Sequence, residues 1–136
     1  DVAGDGMLIL FGACKKEDGL VMDAIRTVQA MRNELNHFNE YLESMYGRSF
    51  GLRAGINYGP AIIGHFSTGP MSKVAAIGDT VNLASRIEQA NKHVDSQLLI
   101  SESAYEHAVE HVEISGSHSS QLKGKTGIYT LYEVEI

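Results

Sequence analysis

The sequence predicts an α+β fold, an antiparallel-rich sheet with helices on one face. Three observations carry that expectation. Residues 18–46 and 79–93 repeat apolar positions at helical spacing, short apolar runs fall between them, and Gly-containing turns separate those runs as in hairpins. No internal repeat, low-complexity tract or linker interrupts the 136 residues. One domain of that length can bury roughly two-thirds of its unfolded surface.

Each element follows in order. Met7-Leu-Ile-Leu-Phe11 is an apolar run ending at Gly12, predicted as a buried strand entered through the turn Gly4-Asp5-Gly6. Over 18–46, Ile25, Val28, Met31, Leu35, Phe38, Leu42 and Met45 recur every three or four residues with charges opposite, which predicts a helix. Gly47 is its expected stop. FGLRAGINY at 50–58 predicts a strand that pairs as a hairpin with AIIGHFS through Gly59-Pro60. A turn at Gly69-Pro70, a strand over 73–77 and a helix from Asp79 to about His93 follow. Residues 97–100 predict another strand, and Ser101 an N-cap for a short helix reaching about Ala108. Two strands joined by GSHSSQLKGKTG complete the order β-β-α-β-β-(β)-α-β-α-β-β. Because the chain opens on what reads as the middle of a hairpin, it is expected to be a piece of a larger domain, lacking that domain's first strand and helices.

Bulk properties narrow the function. A formal charge of −6 disfavours a general nucleic-acid binder, which presents a basic face, but leaves room for a local cationic patch that takes a nucleotide. The lone Cys14 forbids an internal disulfide and favours a reducing compartment. No apolar run approaches the ~20 residues of a membrane span, and no signal peptide is visible, so this segment is expected to make no membrane contact.

Four motifs bear on chemistry. Gly4-Asp5-Gly6 is either plain hairpin-turn composition or a rigid tip offering the Asp5 carboxylate to Mg²⁺. SSQLKGKT at 119–126 is no Walker A loop: Ser119 stands where the first glycine belongs, and strands are expected on both sides. Its lysines either lie in a solvated turn or meet phosphates as mobile charges. His107-Ala-Val-Glu110-His111 has the H-x-x-E-H spacing of some zinc peptidases, but it falls where a short helix ends, so its imidazoles need not share a face. Asn82 and Arg86, four apart, project from one side of the second long helix near its start, where free backbone N–H groups favour anions. Asp79 is the expected N-cap of that helix. Capping and solvation is the plain reading of the pair; a guanidinium beside a neutral donor also suits a phosphoryl centre gaining charge.

In this order GDGMLILFG at 4–12, FGLRAGINYGPAIIG at 50–64 and AAIGDTVNLASRIEQANK at 75–92 resemble the catalytic domain of the class III nucleotide cyclases, the adenylyl and guanylyl cyclases. LKGK at 122–125 supports the resemblance, which covers nearly the whole chain and is most specific in its third block. It implies a ferredoxin-like βαββαβ core and head-to-tail dimers with active sites in the cleft between two domains. By position, Asp5 resembles the second of two metal-binding aspartates and Asn82 the residue that orients the ribose. Arg86 resembles the residue that stabilises the transferring phosphoryl, and Lys123 the lysine on the terminal phosphates. The implied cofactors are two Mg²⁺ or Mn²⁺ ions per site, promoting attack of the ribose 3′-hydroxyl on the α-phosphorus with loss of pyrophosphate. The implied partners are ATP or GTP and a second cyclase domain, and the implied setting is intracellular signalling by a cytoplasmic domain.

The sequence departs from the family pattern at two places. The family's first metal aspartate belongs to a segment upstream of residue 1. The base-reading pair also differs, since adenylyl cyclases place lysine where Asp1 stands and aspartate or threonine where Ala75 stands. Asp1 accepts and does not donate, which suits the N1–H and 2-amino donors of guanine, whereas Ala75 reads nothing. Many bacterial members of relaxed pattern make cyclic AMP, and ATP is slightly favoured. The competing expectation is a non-catalytic cyclase-homology domain that binds nucleotide or serves as a regulatory dimerisation module. Joint presence of Asp5, Asn82, Arg86 and Lys123 speaks against it. An RNA-binding module is disfavoured by the charge and by the lack of an aromatic pair on a strand.

Overall fold

A computed structural model describes residues 1–13, 18–68 and 71–136; Cys14 and the Gly69-Pro70 turn lie outside them. The elements are β1 (Val2–Ala3), β2 (Gly6–Met7), α1 (Leu20–Tyr46), β3 (Ala54–Ile56), β4 (Ile62–Thr68), β5 (Met71–Ile77), α2 (Asp79–Val94), β6 (Leu98–Ser101), α3 (Glu102–Glu106), β7 (Ile114–Ser120) and β8 (Tyr129–Val134). Turn chemistry behaves as its residues dictate. Gly47 closes α1 in the left-handed conformation with its N–H on the Glu43 carbonyl, and Ser101 caps α3 by accepting from the Ala104 N–H.

The core is a four-stranded sheet in the order β3-β6-β8-β7. β3 runs parallel to β6, and the other two pairings are antiparallel. A parallel neighbour needs a crossover, and the chain between β3 and β6 supplies it with β4, β5 and α2. β6 shows why four consecutive residues, Leu98-Leu-Ile-Ser101, are all buried: both of its faces are covered. Leu98 and Ile100 pack with Val21, Ile25 and Val28 of α1, Ala104 of α3 and Val134 of β8. Leu99, on the opposite face, packs with Ile87 and Ala90 of α2 and with Leu122 and Leu131.

The α+β class therefore stands with one correction of layering: α1 and α3 cover one face of this sheet and α2 the other, where helices on one face were expected. Four further expectations are corrected. The run at 7–11 is no buried strand; β2 ends at Met7, and Ile9, Leu10 and Phe11 are exposed, because β2 pairs with β1 over two residues and with no other described strand. β3 and β4 do not form a hairpin. β4 pairs instead with β5 from Ile62↔Ile77 to Thr68↔Met71, leaving β3 free for β6. The apolar stripe of α1 is buried only in its first turns, at Val21, Ala24, Ile25 and Val28, while Phe38 and Met45 are half exposed or more. Twenty-seven helical residues span about 40 Å, whereas a four-residue strand spans about 13 Å, so α1 overshoots the layer it packs on. The Gly-Ser segment 116–120, expected as a connection, is itself part of β7.

Candidate functional site

The site is built around α2. Gly78 is the N-cap, with φ of 149° in a region that disfavours other residues, and Asp79 is the first helical residue. Asp79 is thus not the cap that the sequence predicts. Its carboxylate, at the positive end of the helix dipole, pairs with the Lys125 ammonium. That contact brings the LKGK segment to the start of α2. Residues 122–125 form a β-turn closed by the Lys125 N–H on the Leu122 carbonyl, with Gly124 left-handed at φ 74° and Leu122 buried beside Ile87. Lys123, at the tip of this turn, is exposed.

Asn82 and Arg86 fall on the outer side of α2. At 3.6 residues per turn, a position two away lies nearly opposite, and Ala84 and Glu88 are the residues that rest on β3. A Cβ added to Gly55 would stand 2.3 Å from the Glu88 backbone nitrogen and 2.6 Å from the Ala84 carbonyl oxygen, so helix and strand backbones touch with no side chain between them. Asn82 is therefore exposed, and half-buried Arg86 donates from Nη1 to Gln89 Oε1 at 3.2 Å. The structure thus groups three predicted residues, Asn82, Arg86 and Lys123, on α2 and the turn docked on it.

The other three stand on other elements. Asp5 is exposed at the tip of the β1–β2 hairpin, which forms its own two-stranded sheet. Asp1 stands at the root of that hairpin, its backbone exchanging hydrogen bonds with Leu8 at 2.7 and 2.9 Å. Ala75 lies on β5 opposite Gly64. As a hard oxygen donor, Asp5 matches what Mg²⁺ or Mn²⁺ prefers in kind. It does not suffice in number: among the described residues no group of three or more His, Cys, Asp or Glu could hold a metal. His107 has its Nδ1 2.8 Å from the Ser103 carbonyl and its ring 4.0 Å from that of Tyr58.

Two supports were missed from sequence. Asn91 is completely buried; its Nδ2 donates to the Ala54 carbonyl of β3 at 2.9 Å and its Oδ1 accepts from Ser96 at 2.8 Å. An amide four residues after Ile87, on the apolar side of the helix, was the available signal. Asn57 and Thr80 are the second support, joining the end of β3 to the first turn of α2. A lone Asn after a strand carries no signal of that kind.

Fold and site together define a class of protein: an α+β domain whose crossover helix presents an amide and a guanidinium outward, beside a docked lysine turn. The comparisons identify the class. Residues 1–134 match the adenylate and guanylate cyclase catalytic domain, and the chain belongs to that family. It is 28% identical over 131 residues to adenylate cyclase 1 of Rhizobium meliloti, covering 96% of this chain and 20% of that protein. It is 39% identical over 137 residues to the terminal-differentiation-specific adenylate cyclase of Dictyostelium discoideum, covering 96% of this chain and 6% of that one. The chain therefore spans only a small part of these relatives. The crystal structure of the guanylyl cyclase Cya2 superimposes with a TM-score of 0.86 at 26% identity, over 98% of this chain and 67% of that one. No helix among the described residues is long and apolar enough to cross a membrane.

Proposed function

We propose that this domain, paired with a second copy of itself, converts a nucleoside triphosphate to the 3′,5′-cyclic nucleotide and pyrophosphate, with ATP slightly favoured over GTP. The observation that carries this reading is the outward grouping of Asn82 and Arg86 on α2 with the Lys123 turn docked at the helix start. Asn82 would hold the ribose so that its 3′-oxygen faces the α-phosphorus. Arg86 would take up the charge that grows on that phosphorus as the new P–O bond forms and pyrophosphate departs. Lys123, exposed on a Gly-pivoted turn, would meet the terminal phosphates. Asp1 and Ala75 are the proposed base-reading positions, and the named relatives, both adenylate cyclases, support the lean to ATP.

Two divalent ions per site, Mg²⁺ or Mn²⁺, belong to this reading, and when bound they would neutralise the triphosphate and sharpen the 3′-oxygen as nucleophile. Asp5 would be one ligand in a set that further carboxylates complete. Asp5 stands on a hairpin that pairs with no other described strand, and a second copy is the proposed source of the complementary half of each site. The exposed side chains of Ile62 and Ile77, directly opposite each other on one face of the β4–β5 ribbon, support such a pairing surface.

The test is turnover by the full-length protein with Mg²⁺ or Mn²⁺ and either ATP or GTP. Cyclic product is expected from one nucleotide, and Arg86→Ala should lower kcat by about 10²–10³ with the fold intact. A folded, dimeric, metal-loaded protein that yields no cyclic product from either nucleotide would overturn the reading in favour of a regulatory cyclase-homology domain.

A further inference from the structure

Residues 57–61, which connect β3 to β4, cross directly over the start of α2. Asn57 Nδ2 donates to the Thr80 carbonyl oxygen at 3.0 Å, and the Thr80 hydroxyl donates back to the Pro60 carbonyl. Asn57 thus reaches the helix from the strand, and Thr80 reaches the connection from the helix. The two segments are in contact: a Cβ on Gly59 would lie 3.0 Å from Thr80 Oγ1, tighter than an ordinary contact, and one on Gly78 would meet Ala61 Cα at an ordinary 3.8 Å. The connection is held from its other side as well, because Ser103 of α3 donates to the Tyr58 carbonyl at 2.8 Å.

These contacts matter because of what lies within the next two turns. Asn82 and Arg86 lie on the side of α2 opposite its backbone contact with β3, Asn82 exposed and Arg86 half-buried, so that contact bears on them only through the helix backbone. Rotation about the helix axis, or a slide along it, is resisted at the first turn by directional bonds. We propose that Asn57 and Thr80 are positioning residues for the site: their reciprocal bonds set the rotation and axial register of α2, and with it the aim of Asn82 and Arg86. This rests on the cyclase reading for its catalytic consequence, but the brace itself does not.

Thr80→Val tests the hydroxyl at nearly constant volume, Asn57→Ala tests the other bond, and Thr80→Ser restores the hydroxyl. Amide hydrogen exchange on the full-length protein is read first. Both disruptive variants are expected to speed exchange over 79–86 several-fold while leaving β6 and β8 at wild-type protection, and Thr80→Ser is expected to match wild type. Unchanged exchange over 79–86, or faster exchange throughout β6 and β8, overturns the brace. Turnover is read second. Thr80→Val should lower kcat about tenfold with KM within about twofold, since a small misaim costs rate and not affinity. Local loosening without any loss of kcat in an active enzyme overturns the positioning role. Absence of cyclase activity in the wild type defeats the cyclase reading alone, and the exchange result still decides the brace.

Discussion

Ile87 of α2 has no solvent exposure, while Ile62 of β4, of the same residue type and within the same crossover, is 73% exposed. The first belongs to a helix pressed backbone to backbone on β3 and clamped by Asn91. The second belongs to a hairpin that pairs only with itself among the described strands. The difference separates two kinds of stability. Asn82, Arg86 and Lys123 are held by elements that the sheet anchors, and Asp5, like Ala75, rides on a two-stranded ribbon of the kind that is marginal alone in water. Half of the proposed site is prepared by the fold of one chain, and the other half gains from whatever the ribbons meet.

The sharpest break in that contrast is Gly55→Ala. Its new methyl would collide with α2 backbone and not with a flexible side chain, so a loss of about 3 kcal/mol is expected, near the top of the range for overpacking. Chemical denaturation measures it, and a midpoint unchanged from wild type would show that helix and strand are not in contact. Asn91→Ala should come next. It removes the second donor from the Ala54 carbonyl, which the β3–β6 ladder also pairs, and leaves the Ser96 hydroxyl without its acceptor inside the core, for a loss of about 2 kcal/mol in the same measurement. Smallest is Ile62→Ser on the ribbon, where unfolding of the monomer should shift by less than about 0.5 kcal/mol. Its effect should appear instead as weaker self-association in sedimentation; a large loss of monomer stability would mean that the hairpin is part of the core after all.

The local features were legible in the sequence. Gly47 ends α1, Ser101 caps α3, and the four-residue spacing of Asn82 and Arg86 puts them on one side of α2, because each depends on neighbours a few residues away. Features that join distant segments were not. The β3–β6 pairing links residues more than forty positions apart with no turn to announce it. Leu98-Leu-Ile reads as a uniformly apolar run whether one face or two are covered, so the split of the helices stayed hidden. Lys125 drew notice as a phosphate contact, and its engagement with Asp79 depends on the turn at Gly124 bending the chain back. For the site, residue types were readable and their supports were not, since Asn57, Gly55 and Asn91 act through contacts made only once α2 has docked.

The contact at Gly55 carries one more implication. Side chains in a protein interior can exchange volume with their neighbours, and a layer spaced by them drifts as they change. Where two backbones touch, the spacing is a matter of atomic radii alone. Substitutions among Ile87, Leu99, Leu122 and Leu131 can therefore trade bulk with one another while the separation between α2 and β3 holds constant, so the interior remains free to vary beneath an outward face that does not move.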